Sequence, residues 1–415
     1  MKKMMLMAAM AAIATSAFAQ DDLVKQAQKL KDKDPKEALN VITPALTSSA
    51  TTDKAAAWNT VAQIHYAIFA AQQEIQLKNQ VTGENKPVDE AVMSTAVAEA
   101  LKAAMKCDEF DRQPNEKGKI KPRFRKANQE IYKVARLNVI NAGLWAYNNK
   151  DNDKALEYWG YYIDSKNDPL FEGVDLSSDT NYPEICYYAA LTAYQSKKYD
   201  EAAKYAKLAA QFPEKAAEAK EILLFSQKEN CKTPEETENF IKSLKEMYAQ
   251  DPSDEKVFAL LVDYYANDAS KADEAKAFAD AAIATNPNNK MAHALKGQLA
   301  MTAQDWDAAY QGFNKAQEID PEFILCSFNA AVCLISKAQA MNDQLADKRT
   351  GNLSDADFAK WKEVLKQAQP LLEKCREKDP EQLSTRWAYP LYQVYYALDE
   401  KDKAAEVGKI AGISE

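Results

Sequence analysis

A period of 34 residues constrains this chain more than any other feature. The segment Asn288–Pro321 closes on a proline 34 residues after Pro287. Two stretches inside it carry the apolar spacing of amphipathic helices, about Lys290–Thr302 and Asp305–Glu318. Between them Gln304-Asp305 supplies a turn and an N-cap. Gly297, Ala300, Ala309, Phe313 and Ala316 then fall at fixed places. Two antiparallel helices approach closely only where the facing residues are small, and large side chains fill the grooves elsewhere. One such pair cannot bury its apolar face alone, so these units come in stacks.

The phase recurs along the chain. Tyr199, Ala202, Ala206 and Ala209 repeat the placing of Trp306, Ala309, Phe313 and Ala316. Gly143 with Ala155 and Trp159, the set Ala275, Ala279, Ala282 and Pro287, and Ala404 add further units. Ala38 and Ala98 mark the first second-helix positions, and Thr233-Pro234-Glu235-Glu236 spells a capped helix start. This pattern resembles the tetratricopeptide repeat (TPR), with a small residue in the first helix, a small residue opening the second, an aromatic one turn on, and a closing proline. The Phe240 unit departs from it, with Phe where Ala is usual. The resemblance covers most of Asp21–Gly412. It implies an all-α fold, an α-solenoid of about nine antiparallel helix pairs wound as a TPR superhelix. Residues 20–110 are expected to form N-terminal helical repeats and residues 121–412 a TPR array, with a soft boundary near 111–121. The step from Ala309 to Ala368 exceeds the period by about 25 residues, which places an insertion near 341–358.

Composition narrows the rest. The 415 residues are 47% apolar and 28% charged, a globular balance. Only 10 are Gly and 15 Pro, which argues against glycine-rich phosphate loops and against all-β folds full of tight turns. Residues 1–19 read as a secretory signal: Lys2 and Lys3, an apolar run from Met4 to Ala14, and Ala17-Phe18-Ala19 before Gln20. That points to a Gram-negative periplasm, or secretion beyond it. No later stretch reaches 18 uninterrupted apolar residues, so no integral membrane segment is expected after cleavage. The net charge of −9 becomes more negative when the two signal lysines leave, which disfavours nucleic acid as a partner. The cluster Lys117, Lys119, Lys121, Arg123, Arg125 and Lys126 reads as a solvated loop and helix start.

No chemistry converges in the sequence. The two histidines, His65 and His293, stand apart in first-helix patterns, with no CxxC, HExxH or i,i+4 His pair. Cys107, Cys186, Cys231, Cys326, Cys333 and Cys375 read mostly as buried thiols. Cys326 and Cys333 lie roughly 10 Å apart along one helix, too far to bridge. The Ser253-Asp254-Glu255-Lys256 spelling follows Asp251-Pro252, so Ser253 reads as a cap rather than a nucleophile. No enzyme, metal or cofactor is expected.

What remains is surface. The TPR resemblance implies exposed first-helix positions holding Tyr66, Tyr147, Tyr187, Leu191, Tyr194, Arg386, Tyr389, Gln393 and Tyr396. Tyrosine suits contacts, since it offers area, a hydroxyl and few rotatable bonds. The Lys and Asn set of the chaperone-tail clamp is not matched. The expected function is a non-catalytic periplasmic scaffold that holds an envelope protein or peptide on its concave face. The alternative is a small-molecule or glycan binder that uses the loop SKNDPLFEGVDLSSDTNYPE, residues 165–184.

Overall fold

The same three-residue turn closes helix pairs in both halves of the chain. Lys150, Lys197, Gln304 and Asp399 all sit at positive φ, between 59° and 66°. In each case the next residue's N–H reaches back to a carbonyl five residues before it: Asp151 to Ala146, Lys198 to Ala193, Asp305 to Ala300, and Glu400 to Tyr395. A left-handed residue followed by this backward bond ends one helix and turns the chain for the next. Acidic and amide caps then open helices: Asp53, Asp151, Asn289 and Asp305 accept from the backbone N–H three residues on. Thr233 and Glu236 form a complete capping box.

The computed structural model describes residues 20–114, 117–266 and 269–413. The expected signal at residues 1–19 lies outside them. The chain divides after Lys232 into two units. The first holds α1 (20–30), α2 Pro35–Thr47, α3 Lys54–Thr82, α4 Glu90–Asp111, α5 Arg125–Asn148, α6 Asn152–Ser165, α7 Tyr182–Gln195, α8 Tyr199–Ala209 and α9 Ala216–Asn230. The second holds α10 Pro234–Gln250, α11 Glu255–Ala266, α12 Ala272–Thr285, α13 Lys290–Thr302, α14 Trp306–Ile319, α15 Ile324–Leu345, α16 Asp355–Lys378, α17 Ala388–Ala397 and α18 Lys401–Ile410. Among the described residues there is no strand. Within each unit a helix packs on its sequence neighbours and, more lightly, on the next but one, as α4 does on α6 and α15 on α17. That is the contact pattern of a helical-repeat solenoid.

The boundary expected near 111–121 falls inside the first unit. Asp108 and Asp111 are buried at the end of α4. Arg125 pairs with Asp108 at 2.7 Å, and Arg123 reaches Asp111 at 3.3 Å and Asp53 at 2.7 Å. These ion pairs tie the starts of α3 and α5 to the end of α4; Arg125 is mostly buried by them, while Arg123, Lys117, Lys119, Lys121 and Lys126 stay exposed to solvent as expected. The insertion near 341–358 lengthens α15 and α16 into a long pair and leaves only the loop 346–354 between them. Similarly, α3 with its 29 residues and α4 with its 22 make an overlong pair. One helix among the described residues, Ile324–Leu345, is long and apolar enough to cross a membrane by length and composition. Its Cys326, Ala330, Cys333 and Leu334 are buried against neighbouring helices.

Close helix approach follows the small residues. A Cβ at Gly297 would press on the Phe313 ring at 2.9 Å, as the repeat phase requires. Gly312 is tighter: a Cβ there would stand 2.5 Å from the Gly297 backbone nitrogen, so α13 and α14 touch backbone to backbone.

Candidate functional site

The most open aromatic face lies on α17. The preceding loop is fixed by Asp379, whose carboxylate accepts from the backbone N–H groups of Leu383, Ser384 and Thr385 at 2.7–2.9 Å. Burial works against that charge, but these donors outweigh it and hold the carboxyl below its usual range. Trp387 donates its indole N–H to the Asp379 carbonyl at 2.7 Å. So anchored, α17 turns Ala388, Leu391, Val394 and Tyr395 into the core. Its opposite side carries Tyr389 and Tyr396, 55% and 70% exposed. Tyr392 lies between them, with ring centroids 6.5 Å from Tyr389 and 6.1 Å from Tyr396. Gly408 on α18 leaves room for the Tyr392 ring, which a Cβ there would meet at 3.3 Å. Gln393 is exposed on the same side. Of the positions expected from sequence here, Tyr389, Gln393 and Tyr396 thus share one face of α17, and Arg386 is exposed just before the helix. Tyr392, which joins the row, was not among them, although its spacing of three from Tyr389 marks it.

The expected residues of the first unit sit differently. Tyr147, Tyr187, Leu191 and Tyr194 are half-buried and pack against the core. Tyr147 lies 6.0 Å from the buried Trp159, and Tyr194 lies 5.6 Å from Tyr199. The Lys215 ammonium stands 4.9 Å over the Tyr187 ring and pairs with Glu184 at 2.5 Å. Tyr66 packs between Phe69 and Tyr132, both buried. These tyrosines hold helices together and show only an edge to solvent.

The loop 166–181 is drawn inward. Leu170 and Phe171 are buried, and Asp179 accepts from both the Arg136 guanidinium and the Tyr162 hydroxyl. Arg136 is 1% exposed, donates to Ser165 Oγ at 2.9 Å, and lies over the Tyr162 ring at 4.5 Å. Where the loop begins, Asp168 borders a cavity of about 440 Å³ that Trp58, Lys102, Met105 and Arg112 also line.

Reactive groups are muted. Five of the six cysteines, Cys107, Cys186, Cys326, Cys333 and Cys375, are buried free thiols. Burial pushes Cys107, Cys186, Cys326 and Cys333 up to about 12, and Cys375 up to about 11, away from thiolate chemistry. Burial, helped by nearby Lys102, lowers His65 to about 4, so it is held neutral in the fold. His293 places its Nε2 2.9 Å from the Pro287 carbonyl. Among the described residues, no three His, Cys, Asp or Glu side chains gather as a metal site.

No family model matches the chain, and no curated protein matches it. Among solved structures, one of Naa15/Naa10 bound to HypK-THB is 14% identical over 94% of this chain and 63% of that one, with a TM-score of 0.33. This chain therefore spans less than two thirds of that protein's length. The assembly chaperone of RpL4, Acl4, is 11% identical over 81% of this chain and 99% of its own, with a TM-score of 0.22.

Proposed function

We propose that this protein is a non-catalytic scaffold that grips a protein or peptide partner through the tyrosine face of α17. One observation carries the reading. Tyr389 and Tyr396 stand more than half exposed, in line with Tyr392, on a helix whose other side is locked into the core. Exposed large aromatics in a row are unusual on a surface that only meets water, and such rings supply much of the energy of protein contacts. We further propose that the chain is exported to the periplasm by residues 1–19, which makes an envelope protein or peptide the partner.

A photo-crosslinking residue at Tyr396, in living cells, tests the first part. The expected result is a discrete protein adduct that disappears when Tyr389 is changed to Ala. No adduct beyond that from a probe at Lys360 overturns it. N-terminal sequencing of the protein from an envelope fraction tests export: the expected start is Gln20, and a chain still beginning at Met1 in the cytoplasm overturns it.

The cavity beside Asp168 favours a second reading, a small polar ligand. Arg112 and Asp168 border it with opposite charges, and the Trp58 indole N–H is buried there without a hydrogen-bond partner. A thermal-shift screen with envelope sugars and peptidoglycan fragments separates the readings, because a ligand that binds only the folded chain raises its melting temperature.

A further inference from the structure

The cavity of about 440 Å³ beside Asp168 lies where the loop after α6 folds back on the second half of α4. Residues 102, 105, 109 and 112 recur at three and four, so α4 turns one stripe of Lys102, Met105, Glu109 and Arg112 toward it. Asp168 and Pro169 border it from the loop, and Trp58 borders it from α3. Among the described residues six charged side chains line the cavity, three of each sign. Four of them are already matched. Lys102 pairs with Glu99 at 3.2 Å, Lys106 with Glu109 at 2.7 Å, and Asp108 with Arg125 at 2.7 Å. Arg112 and Asp168 are left.

These two opposite charges border one cavity and do not meet. The Arg112 guanidinium makes no hydrogen bond or ion pair among the described residues. Asp168 is held where it stands. One of its carboxylate oxygens accepts from the Leu170 N–H at 2.8 Å, which caps the short turn Pro169–Phe171, and Pro169 fixes the backbone beside it. Leu170 and Phe171 are buried, so the turn does not swing Asp168 across to Arg112. The other oxygen has no partner among the described residues. Burial, with Asp108 close by, pushes the Asp168 carboxyl above its ordinary range. The Leu170 bond and the charges of Arg112 and Arg125 fall short of offsetting that. A half-buried carboxylate thus lacks a cation in contact, while an unpaired guanidinium borders the same space.

We propose that this cavity binds a free α-amino acid, whose ammonium pairs with Asp168 and whose carboxylate takes the Arg112 guanidinium. The assignment rests on the small-polar-ligand reading of the cavity and names the ligand's class. Each simpler ligand leaves one charge wrong. An anion satisfies Arg112 but faces Asp168 and Glu109, and a cation satisfies Asp168 but faces Arg112 and Lys102. A neutral sugar leaves both charges without a counter-ion. A zwitterion answers both at once. The guanidinium fork suits a carboxylate, which accepts two parallel N–H bonds. Met105 and the Trp58 ring supply an apolar wall for the ligand's side chain. The volume is in the range of small-ligand sites.

The test screens the full chain against each common amino acid by thermal shift, then titrates the one that stabilises most by isothermal calorimetry. Saturable binding at one site is expected. The analogue of that amino acid lacking the ammonium, and the one lacking the carboxylate, should each bind at least about tenfold more weakly, the worth of a hydrogen bond to a charged group. Arg112→Gln and Asp168→Asn should each weaken binding as much. Arg112 is exposed, and Asn keeps an oxygen for the Leu170 N–H, so both variants should fold, which far-UV circular dichroism checks. The analogues test the same claim on the unaltered protein. No stabilisation by any amino acid, undiminished binding of either analogue, or wild-type affinity in either folded variant overturns the proposal. Where envelope sugars stabilise the chain and no amino acid does, the amino-acid assignment falls and the small-polar-ligand reading stands. Where neither does, both fall. Crosslinking from Tyr396 draws on other residues, so the α17 reading is tested separately.

Discussion

On α7 the rings of Tyr187 and Tyr194 are half-buried, whereas on α17 those of Tyr389 and Tyr396 stand in solvent. Both pairs are spaced by seven residues on a first helix of a pair. The difference lies in what packs beside them. The chain from α8 to α9 brings Tyr199 against Tyr194 and Lys215 over Tyr187. The neighbours of α17 are α16, α18 and, more lightly, α15, and they meet the opposite side, where Leu391, Val394 and Tyr395 are buried. The same residue in the same phase is therefore packing in one unit and open surface in the other. Periodicity assigns a side chain to a face of its helix, while the neighbouring helices decide whether that face is covered.

The sharpest way to break the contrast is to loosen what positions α7. Asp179→Ala strips the partner from the buried Arg136, and a buried charge left alone should cost about 3–5 kcal/mol in chemical unfolding. Retained stability would mean that the loop before α7 does not clamp it. Acid offers a second lever, confined to the first unit's His65. Its folded value of about 4 lies below the ordinary imidazole value of 6.5, so the unfolded chain takes up the proton first as pH falls. The associated stability is full above about 6.5 and gone by about 4, a loss of about 3 kcal/mol. His65→Gln should flatten that slope in melting curves taken across the window, and an unchanged slope would refute the assignment. Next, Tyr187→Ala with Tyr194→Ala should cost about 1–3 kcal/mol, less than full core truncation because each ring shows an edge to water. Smallest in stability, Tyr389→Ala with Tyr396→Ala should stay within about 0.5 kcal/mol of wild type while crosslinking from the α17 face is lost. Equal melting shifts for the two double variants would erase the distinction between the faces.

Much of the helical order was legible in the residues. Asp305, Ser354 and the Thr233–Glu236 box cap helices as their spelling indicates, and the small-to-aromatic match of Gly297 with Phe313 follows from the period. Gly312 was not legible, since it lies off the repeat's marked positions and its role appears only where two backbones meet. The basic cluster at 117–126 is solvated as expected except at Arg125, whose partner Asp108 lies 17 residues away in sequence and left no local sign. The α17 face was half legible: Tyr389, Gln393 and Tyr396 were expected, and its exposure distinguishes it from the α7 set.

The residues by themselves determined the helices, their turns and the places where pairs draw close. Caps, left-handed turn residues and small-residue spacing act within a few positions along the chain. Tertiary structure alone decided which tyrosines are buried and where the chain divides. Those outcomes depend on groups from distant segments arriving in the same few ångströms, and no local pattern encodes that arrival.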